Sequence, residues 1–212
     1  MKALKAFLIG ILSLVFVLFL ISFGTVFFKT TTMKIEYEDL IHKYAEEYDV
    51  DELMIASIIN VESGFDKDAH SHMDAKGLMQ IVDETGKWIS EQLGEDYSFE
   101  KLVDPDMNIR YGTYYYKYLL DHFQTKELAL AAYNGGIGNV EKWLEDENIS
   151  PDGVTLKNIP FEETKNYVEK VENSYNQYSL FYGDHIPEEN NSKNIMKLAW
   201  KNYKTFLKDL VK

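Results

Sequence analysis

The sequence predicts an all-α protein, with a transmembrane helix at the amino terminus and a basic amphipathic helix at the carboxyl terminus. Apolar residues recur at helical spacing in segment after segment, and no convincing strand or internal repeat is present. The chain has only four prolines, all of them after residue 100. Its 212 residues suffice for one domain with a real core plus appendages.

The amino-terminal segment has the length and composition of a membrane span. Residues 6–28 are 23 uncharged, strongly apolar positions, which extend roughly 34 Å as a helix. An uncleaved anchor over residues 1–29, with its amino terminus inside, is favoured over a signal peptide. The apolar run is long for a signal peptide, and residues 22–24 form a poor cleavage site. Lysines flank the run on both sides, so the positive-inside rule is only suggestive here.

The charge of the remaining chain is strongly acidic. Three of the 22 basic residues fall within the first 29, which leaves 19 against 35 acidic residues, a net charge of −16. Such a surface is repelled by nucleic acid and by anionic membranes, so a nucleic-acid partner is excluded. The absence of cysteine excludes disulfides and thiolate zinc sites.

The first helices after the anchor are set by apolar spacing and by their end residues. Residues 35–48 place an apolar stripe on one side. In the next helix Asp51 is the expected N-cap, and Gly64 is the residue past its end. Residues 84–93 form the third helix, which Gly94 closes.

The later helices are marked by prolines and glycines. Asp104-Pro105 is typical of a helix start, Pro160 starts another, and the glycine-rich residues 134–138 break a buried helix sharply. The predicted helices are residues 105–123, 126–133, 139–145, 160–182 and 194–211. In the loop at 82–83, Asp83 is expected to cap the third helix.

Glu62 lies in the last turn of a mostly buried helix. An acid there opposes the partial negative charge of the helix C-terminus. Burial and that dipole both disfavour the carboxylate and raise its pKa, as a general acid needs near neutral pH. Taken alone, Glu62 is still better explained as a surface glutamate that precedes a turn.

Four segments in order change that interpretation: residues 60–65 (NVESGF), 75–80 (AKGLMQ), 131–136 (AAYNGG) and 159–168 (IPFEETKNYV). Together they resemble the lysozyme-like lytic transglycosylases, the soluble-lytic-transglycosylase (SLT) domains related to goose-type lysozyme. The resemblance covers about residues 35–182. It implies a lysozyme-like helical catalytic domain, so the expected domains are the anchor 1–29, a catalytic domain 30–184 and a carboxyl-terminal helix region 185–212.

The resemblance also implies a mechanism with one carboxyl group. Glycosidases usually deploy two carboxylates, and Asp66, Asp68 and Asp74 lie near Glu62 in sequence, although solvated loop acids are the simpler explanation for them. In lytic transglycosylases one glutamate protonates the glycosidic oxygen and then acts as base on the C6 hydroxyl of the substrate. A 1,6-anhydro ring closes, and no second carboxylate is required.

Substrate contacts follow from the same resemblance. The implied residues are Ser63, Met79, Gln80, Tyr133, Asn134 and Tyr167, with the Tyr167 hydroxyl orienting Glu62. Each has a structural alternative: Ser63 can cap helix carbonyls, Gln80 can hold its loop, and the others can serve packing or a turn. The sequence departs from the family at Val82 and Asp83, where methionine and proline often stand, so the family's thioether contact with the sugar is not expected here.

Two other features have competing explanations. Asp68, His70, His72 and Asp74 alternate, which suggests a metal site, but a polar loop explains them better, and neither metal nor cofactor is expected. Residues 193–212 carry six lysines against Asp209, a net charge of +5. Contact with a membrane surface or an anionic wall is one hypothesis; a helix packed on the catalytic domain is favoured over it.

The combined prediction is a membrane-anchored peptidoglycan lytic transglycosylase. It stands outside the cytoplasmic membrane as a single-pass protein and cleaves the bond between N-acetylmuramic acid (MurNAc) and N-acetylglucosamine (GlcNAc). Its expected partners are glycan strands, the membrane and cell-wall or secretion machinery. The alternatives are a hydrolytic muramidase on the same fold and a non-catalytic wall-binding or secretion-assembly component.

Overall fold

The computed structural model describes residues 2–32, 34–186 and 195–210, and it forms two compact units. One unit comprises residues 1–36 and 189–212, and the other residues 37–188. Within the described ranges every regular element is helical, and the only β pairing is two isolated bridges. The predicted all-α fold class is therefore confirmed.

The helices follow the chain in simple order. They are α1 Lys2–Thr32, α2 Glu38–Tyr48, α3 Glu52–Glu62, α4 Asp83–Leu93, a 3₁₀ helix Phe99–Val103, α5 Pro105–Phe123, α6 Lys126–Gly135, α7 Ile137–Glu145, α8 Glu162–Tyr182 and α9 Ile195–Asp209. The 3₁₀ helix has no counterpart in the sequence-based prediction. Other boundaries agree within three residues.

Side chains of aspartate begin two helices as predicted. Asp51 Oδ1 accepts a hydrogen bond from Leu53 N at 2.9 Å, and Asp104 Oδ1 accepts one from Met107 N at 3.1 Å. The prediction for Asp83 was wrong, because it lies inside the first turn of α4 and its carboxylate accepts from the Tyr97 hydroxyl at 2.9 Å.

The core of the larger unit is built around α3. Every residue from Leu53 to Ile59 is buried, so this helix is apolar all round, as expected of a helix enclosed by others. Helix α8 packs along α3 and α6, and α5 packs along α2 and α6. Helices α6 and α8 approach closely at Gly135, where an added Cβ would lie 2.9 Å from Thr164 Oγ1. This packing brings the ends of α3 and α6 beside α8.

The smaller unit pairs the two ends of the chain. Helix α1 contains residues 7–31, the one helix of the described ranges that is long and apolar enough to cross a membrane. Helix α9 packs against α1, with a 3.0 Å hydrogen bond between the hydroxyls of Ser22 and Tyr203. The sequence favoured packing on the catalytic domain, whereas the structure supplies an apolar partner surface on α1.

Candidate active site

Glu62 ends α3 at the wall of a cavity of about 420 Å³. Ser63 follows as the C-cap, and Gly64 turns the chain with a φ of +61°, a conformation that favours glycine. The position past the helix end was therefore predicted correctly. The fold places a carboxyl group where the buried helix gives way to open space.

Burial raises the pKa of Glu62 to about 7 from an ordinary value of 4.5. The low-polarity surroundings penalise the charged carboxylate. The Tyr167 hydroxyl faces the same carboxyl group and opposes this rise in pKa, since donation to a carboxylate favours its charged form. Tyr167 Oη is buried and lacks a well-formed hydrogen bond within the described ranges. The Tyr167 phenol thus lies buried beside a carboxyl group whose pKa is about 7.

The loop between α3 and α4 is held by Asn108, a buried residue of α5. Its side-chain oxygen accepts from Met79 N at 2.7 Å, and its amide nitrogen donates to Lys76 O at 2.9 Å and Leu102 O at 2.7 Å. Gly77 is required beside it, because an added Cβ would lie 2.4 Å from Asn108 Nδ2. Sequence reasoning missed Asn108, whose only signal is a polar residue within an apolar stripe.

Three predicted substrate-binding residues support this loop. The Gln80 amide donates to Gly77 O at 2.8 Å and Ala69 O at 3.2 Å, and Gln80 also lines the cavity. The Ser63 hydroxyl donates to Leu78 O at 2.8 Å. The Met79 side chain is fully buried. Neither Ser63 nor Met79 lines the cavity, so their direct contact with substrate stays a prediction.

Tyr133 and Asn134 reach the cavity from the last turn of α6. The Tyr133 hydroxyl donates to Met79 O at 2.8 Å, which ties α6 to the loop. Its ring lies 5.5 Å from that of Tyr115, which also lines the cavity and was missed from sequence. Asn134 is exposed at the same wall. The helix continues through Gly135 and breaks at Gly136, two residues later than predicted.

The cavity combines one partly buried acid, Glu62, with polar and aromatic walls. Its lining comprises Glu62, Ser71, Met73, Ala75, Gln80, Ile81, Val82, Thr85, Tyr115, Tyr133, Asn134, Gly136 and Glu163. Glu163, at the start of α8, brings a second carboxyl group to this space. It belongs to a quoted motif, yet sequence reasoning gave it no role.

The loop acids considered earlier lie elsewhere. Asp66, Asp68 and Asp74 are exposed and do not line the cavity. His70 Nε2 lies 3.1 Å from Asp74 Oδ1. Across residues 2–32, 34–186 and 195–210, no three histidine, aspartate or glutamate side chains form a group suited to a metal ion.

Comparison with known proteins agrees with this geometry. The model of the transglycosylase SLT domain family matches residues 39–153, more than half of the chain. The chain belongs to this SLT family. The match includes α3, the loop between α3 and α4 that Asn108 holds, and the residues of α6 that line the cavity.

Relatives of this SLT chain are much longer proteins. The soluble lytic murein transglycosylase of Escherichia coli K12 is 33% identical over 152 residues, 70% of this chain and 24% of the relative. The membrane-bound lytic murein transglycosylase C of Serratia proteamaculans is 30% identical over 167 residues, 68% of this chain and 46% of the relative. The chain therefore spans about a quarter to a half of the length of these relatives.

Solved structures show the same fold. The 70-kDa soluble lytic transglycosylase of Escherichia coli superimposes with a TM-score of 0.62 and 29% identity, covering 70% of this chain and 25% of that one. An inactive mutant of the Pseudomonas aeruginosa lytic transglycosylase Slt gives a TM-score of 0.61 and 30% identity, covering 72% of this chain and 25% of that one. The lysozyme-like helical fold expected for an SLT domain is confirmed.

Proposed function

We propose that this chain is a lytic transglycosylase that cleaves the MurNAc–GlcNAc bond of peptidoglycan. The observation that supports the proposal best is the environment of Glu62. This residue lies at the wall of the cavity, and burial raises its pKa to about 7. A carboxyl group that is protonated near neutral pH is equipped to act as a general acid. Membership of the SLT family and the names of its relatives agree with the assignment.

In the proposed reaction Glu62 serves twice. Its proton passes to the glycosidic oxygen as the bond from that oxygen to the anomeric carbon breaks. The oxygen of the C6 hydroxyl then bonds to the same carbon, and the hydroxyl proton returns to the Glu62 carboxylate. No water is consumed, and the MurNAc unit ends as a 1,6-anhydro sugar.

The surrounding side chains have supporting roles in this scheme. Tyr167 orients the Glu62 carboxyl group, while Gln80, Tyr133 and Asn134 line the space for the saccharide. The hydroxyl of Tyr133 is already engaged with Met79 O, so Tyr133 would contact the sugar through its ring. Ser63 and Met79 would act indirectly, through the shape of the loop.

The central test is digestion of purified cell wall by a Glu62→Gln variant. We expect a loss of about 10²- to 10⁴-fold in turbidity-clearing rate, as is usual when a general acid is removed. Glu91→Gln, at an exposed position of α4, is the matched control and should digest normally. Undiminished digestion by Glu62→Gln would refute the assigned role. Survival of function in cells without digestion would instead favour a scaffold in wall or secretion machinery.

Hydrolysis is a second candidate, because Glu163 brings another carboxyl group to the same cavity. In inverting glycosidases such a partner activates water as general base. Mass spectrometry of the products separates the two reactions, since an anhydro end is lighter than a reducing end by one water. We expect products with anhydro ends, both from the natural chain and from Glu163→Gln. Products with reducing ends that Glu163→Gln no longer forms would establish the muramidase.

We also propose that α1 is retained as a single-pass anchor, with residues 37–188 outside the cytoplasmic membrane. Its span, residues 7–31, is long and apolar enough. Its packing with α9 argues against removal, because Asn202 Nδ2 donates to Thr30 Oγ1 at 3.2 Å and both residues are buried. We expect the protein to stay in the membrane fraction after carbonate extraction and to keep its uncleaved mass. Release of a shorter protein into the soluble fraction would contradict the proposal.

A further inference from the structure

Helix α9 presents three different faces. One is packed on α1, and the Trp200 ring of the neighbouring face also lies 5.7 Å from the Phe23 ring of α1. Ala199, Asn202 and Tyr203 form this packed face and are buried. The Tyr203 ring lies 5.6 Å from that of Phe19 and 5.4 Å from that of Phe23, measured between ring centroids. Together with the polar bonds already described, these contacts hold α9 along the carboxyl-terminal half of α1.

The second face is apolar and exposed. Met196, Trp200 and Leu207 share one strip beside the packed face, because α-helical positions four, seven and eleven residues apart lie on the same side. Their exposed fractions are 55%, 44% and 43%. An exposed strip of large apolar side chains on one helix marks an interaction surface.

The third face is a row of lysines next to that strip. Lys197, Lys201, Lys204 and Lys208 follow at intervals of four, three and four residues, against one aspartate in the helix. The Lys204 Nζ lies 5.9 Å from the centroid of the Trp200 ring, so the cationic and apolar strips meet there. Around the helix, the packed face is therefore followed by the apolar strip and then by the row of lysines.

Helix α1 also exposes large apolar side chains. Leu18, Ile21 and Phe28 of α1 are 57%, 60% and 67% exposed, and the α9 contacts fall on the same half of that helix. A lipid leaflet would cover both surfaces at once. The long lysine side chains can then extend to the phosphate level while their stems stay among apolar groups.

We propose that α9 is a second membrane element, which lies beside α1 in the outer leaflet and binds anionic lipid headgroups through its lysine row. This inference rests on the proposed anchoring by α1. The apolar strip supplies insertion and the lysines supply attraction to anionic lipid, the two terms that hold amphipathic helices at an interface. In this arrangement α1 would span the bilayer and α9 would add contacts with its outer leaflet.

The absence of natural cysteine permits a direct test with single-cysteine variants of the full-length chain. Leu207→Cys marks the apolar strip, Leu12→Cys the middle of the α1 span, and Glu141→Cys the exposed surface of α7. Each is labelled with a fluorophore and reconstituted in phosphatidylglycerol/phosphatidylcholine vesicles that contain lipid-linked quenchers. We expect quenching at positions 207 and 12 and none at 141.

Each departure from that pattern has a defined meaning. Quenching at position 12 without quenching at 207 overturns the role of α9 and leaves the anchor intact. No quenching at position 12 overturns the anchor and this inference with it. A third outcome is that the protein binds isolated wall polymer through these lysines while position 207 stays unquenched. That result would assign α9 to the wall and overturn the membrane role.

The lysine row is tested in the Leu207→Cys background with Lys201→Gln, Lys204→Gln and Lys208→Gln combined. Each lysine near an anionic surface contributes about fivefold to its attraction, so quenching at position 207 should fall by at least about half in anionic vesicles. The same substitutions should have little effect in pure phosphatidylcholine. Equal quenching of variant and parent in anionic vesicles would refute the headgroup contact.

Discussion

At the residue scale, the proposed chemistry depends on Glu62, whose carboxyl group lies where the buried helix α3 ends at an open cavity. Its raised pKa, about 7, has burial as its largest cause, and Tyr167 acts in the opposite direction. Both effects are properties of the folded protein and vanish on unfolding. They lead to predictions for activity and for stability.

The activity should depend on pH through Glu62. The acid step needs the protonated carboxyl group, so kcat/KM for wall fragments should fall about tenfold per pH unit above pH 7. Initial rates between about pH 5 and 9 measure this limb. If the rate instead begins to fall near pH 4.5, the ordinary pKa of glutamate, burial does not raise the pKa of Glu62 in the dissolved protein.

The stability of Glu62→Gln should exceed that of the natural chain in alkaline solution. The folded-state pKa lies above the unfolded value of 4.5, so the folded state loses stability as pH rises through the window from 4.5 to 7. The full penalty above that window is at most about 3 kcal/mol. Denaturant unfolding near pH 8 should show the variant as more stable, and the difference should shrink near pH 4.

Tyr167→Phe should change the pH profile as well as the rate. Removal of the hydroxyl that lowers the pKa of Glu62 moves the alkaline limb upward, and loss of orientation should reduce the maximal rate by about 10- to 100-fold. Tyr178→Phe is the control, because its hydroxyl is also buried on α8 and has no hydrogen-bond partner among the residues that the structure describes. An unshifted limb in Tyr167→Phe, or an equal shift in Tyr178→Phe, would argue against a specific positioning role.

At the element scale, α5 supports the loop between α3 and α4, which lines the cavity. Asn108 binds three backbone groups of the loop and the 3₁₀ helix. One turn later, Gly112 leaves room for the buried Met79 side chain, since a Cβ there would lie 2.3 Å from Met79 Sδ. A helix of ordinary amphipathic pattern is thus adapted at two positions to hold a loop.

Gly112→Ala should displace the loop through Met79. We expect a loss of about 1–3 kcal/mol in the free energy of unfolding, the usual cost of overpacking, together with reduced wall digestion. Gly138→Ala in α7 is the matched control, because no heavy atom lies within 4 Å of its added Cβ. That substitution should be neutral or stabilising by up to about 1 kcal/mol. Equal stability of the two variants would contradict the packing described.

At the scale of the whole molecule, the net charge affects how the protein would approach its proposed substrate. The chain beyond residue 29 has a net charge of −16, and cell-wall polymer is also largely anionic. Long-range repulsion should therefore slow encounter, and binding must come from short-range contacts in the cavity.

Ionic strength should accordingly stimulate the activity. Between about 0.01 and 0.15 M salt the Debye length shortens from about 30 to 8 Å, so the repulsion is screened and KM should fall while kcat stays nearly constant. Initial rates on soluble glycan strands across this salt range provide the measurement. A KM that rises with salt would reveal an attractive cationic patch on the substrate face.

Much of the fold follows from local patterns. Asp51, Asp104 and Gly94 set helix ends through hydrogen bonds and backbone angles within a few residues, so the sequence predicts them well. Asp83 was mistaken for a cap because its actual partner, Tyr97, lies 14 residues away. Competition between local and distant partners decides such cases, and a sequence pattern contains only the local one.

The sequence by itself determined the helical class, the apolar span and the place of Glu62 at a helix end, because each depends on neighbours within a turn or two. Only the tertiary structure decided that Asn108 pins Met79 across 29 residues, that Glu163 and Tyr115 share the cavity with Glu62, and that Tyr203 meets Ser22 across 181 residues. These contacts join residues that are far apart in the sequence, and they form because the surfaces that carry them are buried against each other. Which surfaces meet is decided by the packing of the whole chain and has no signature in any one segment.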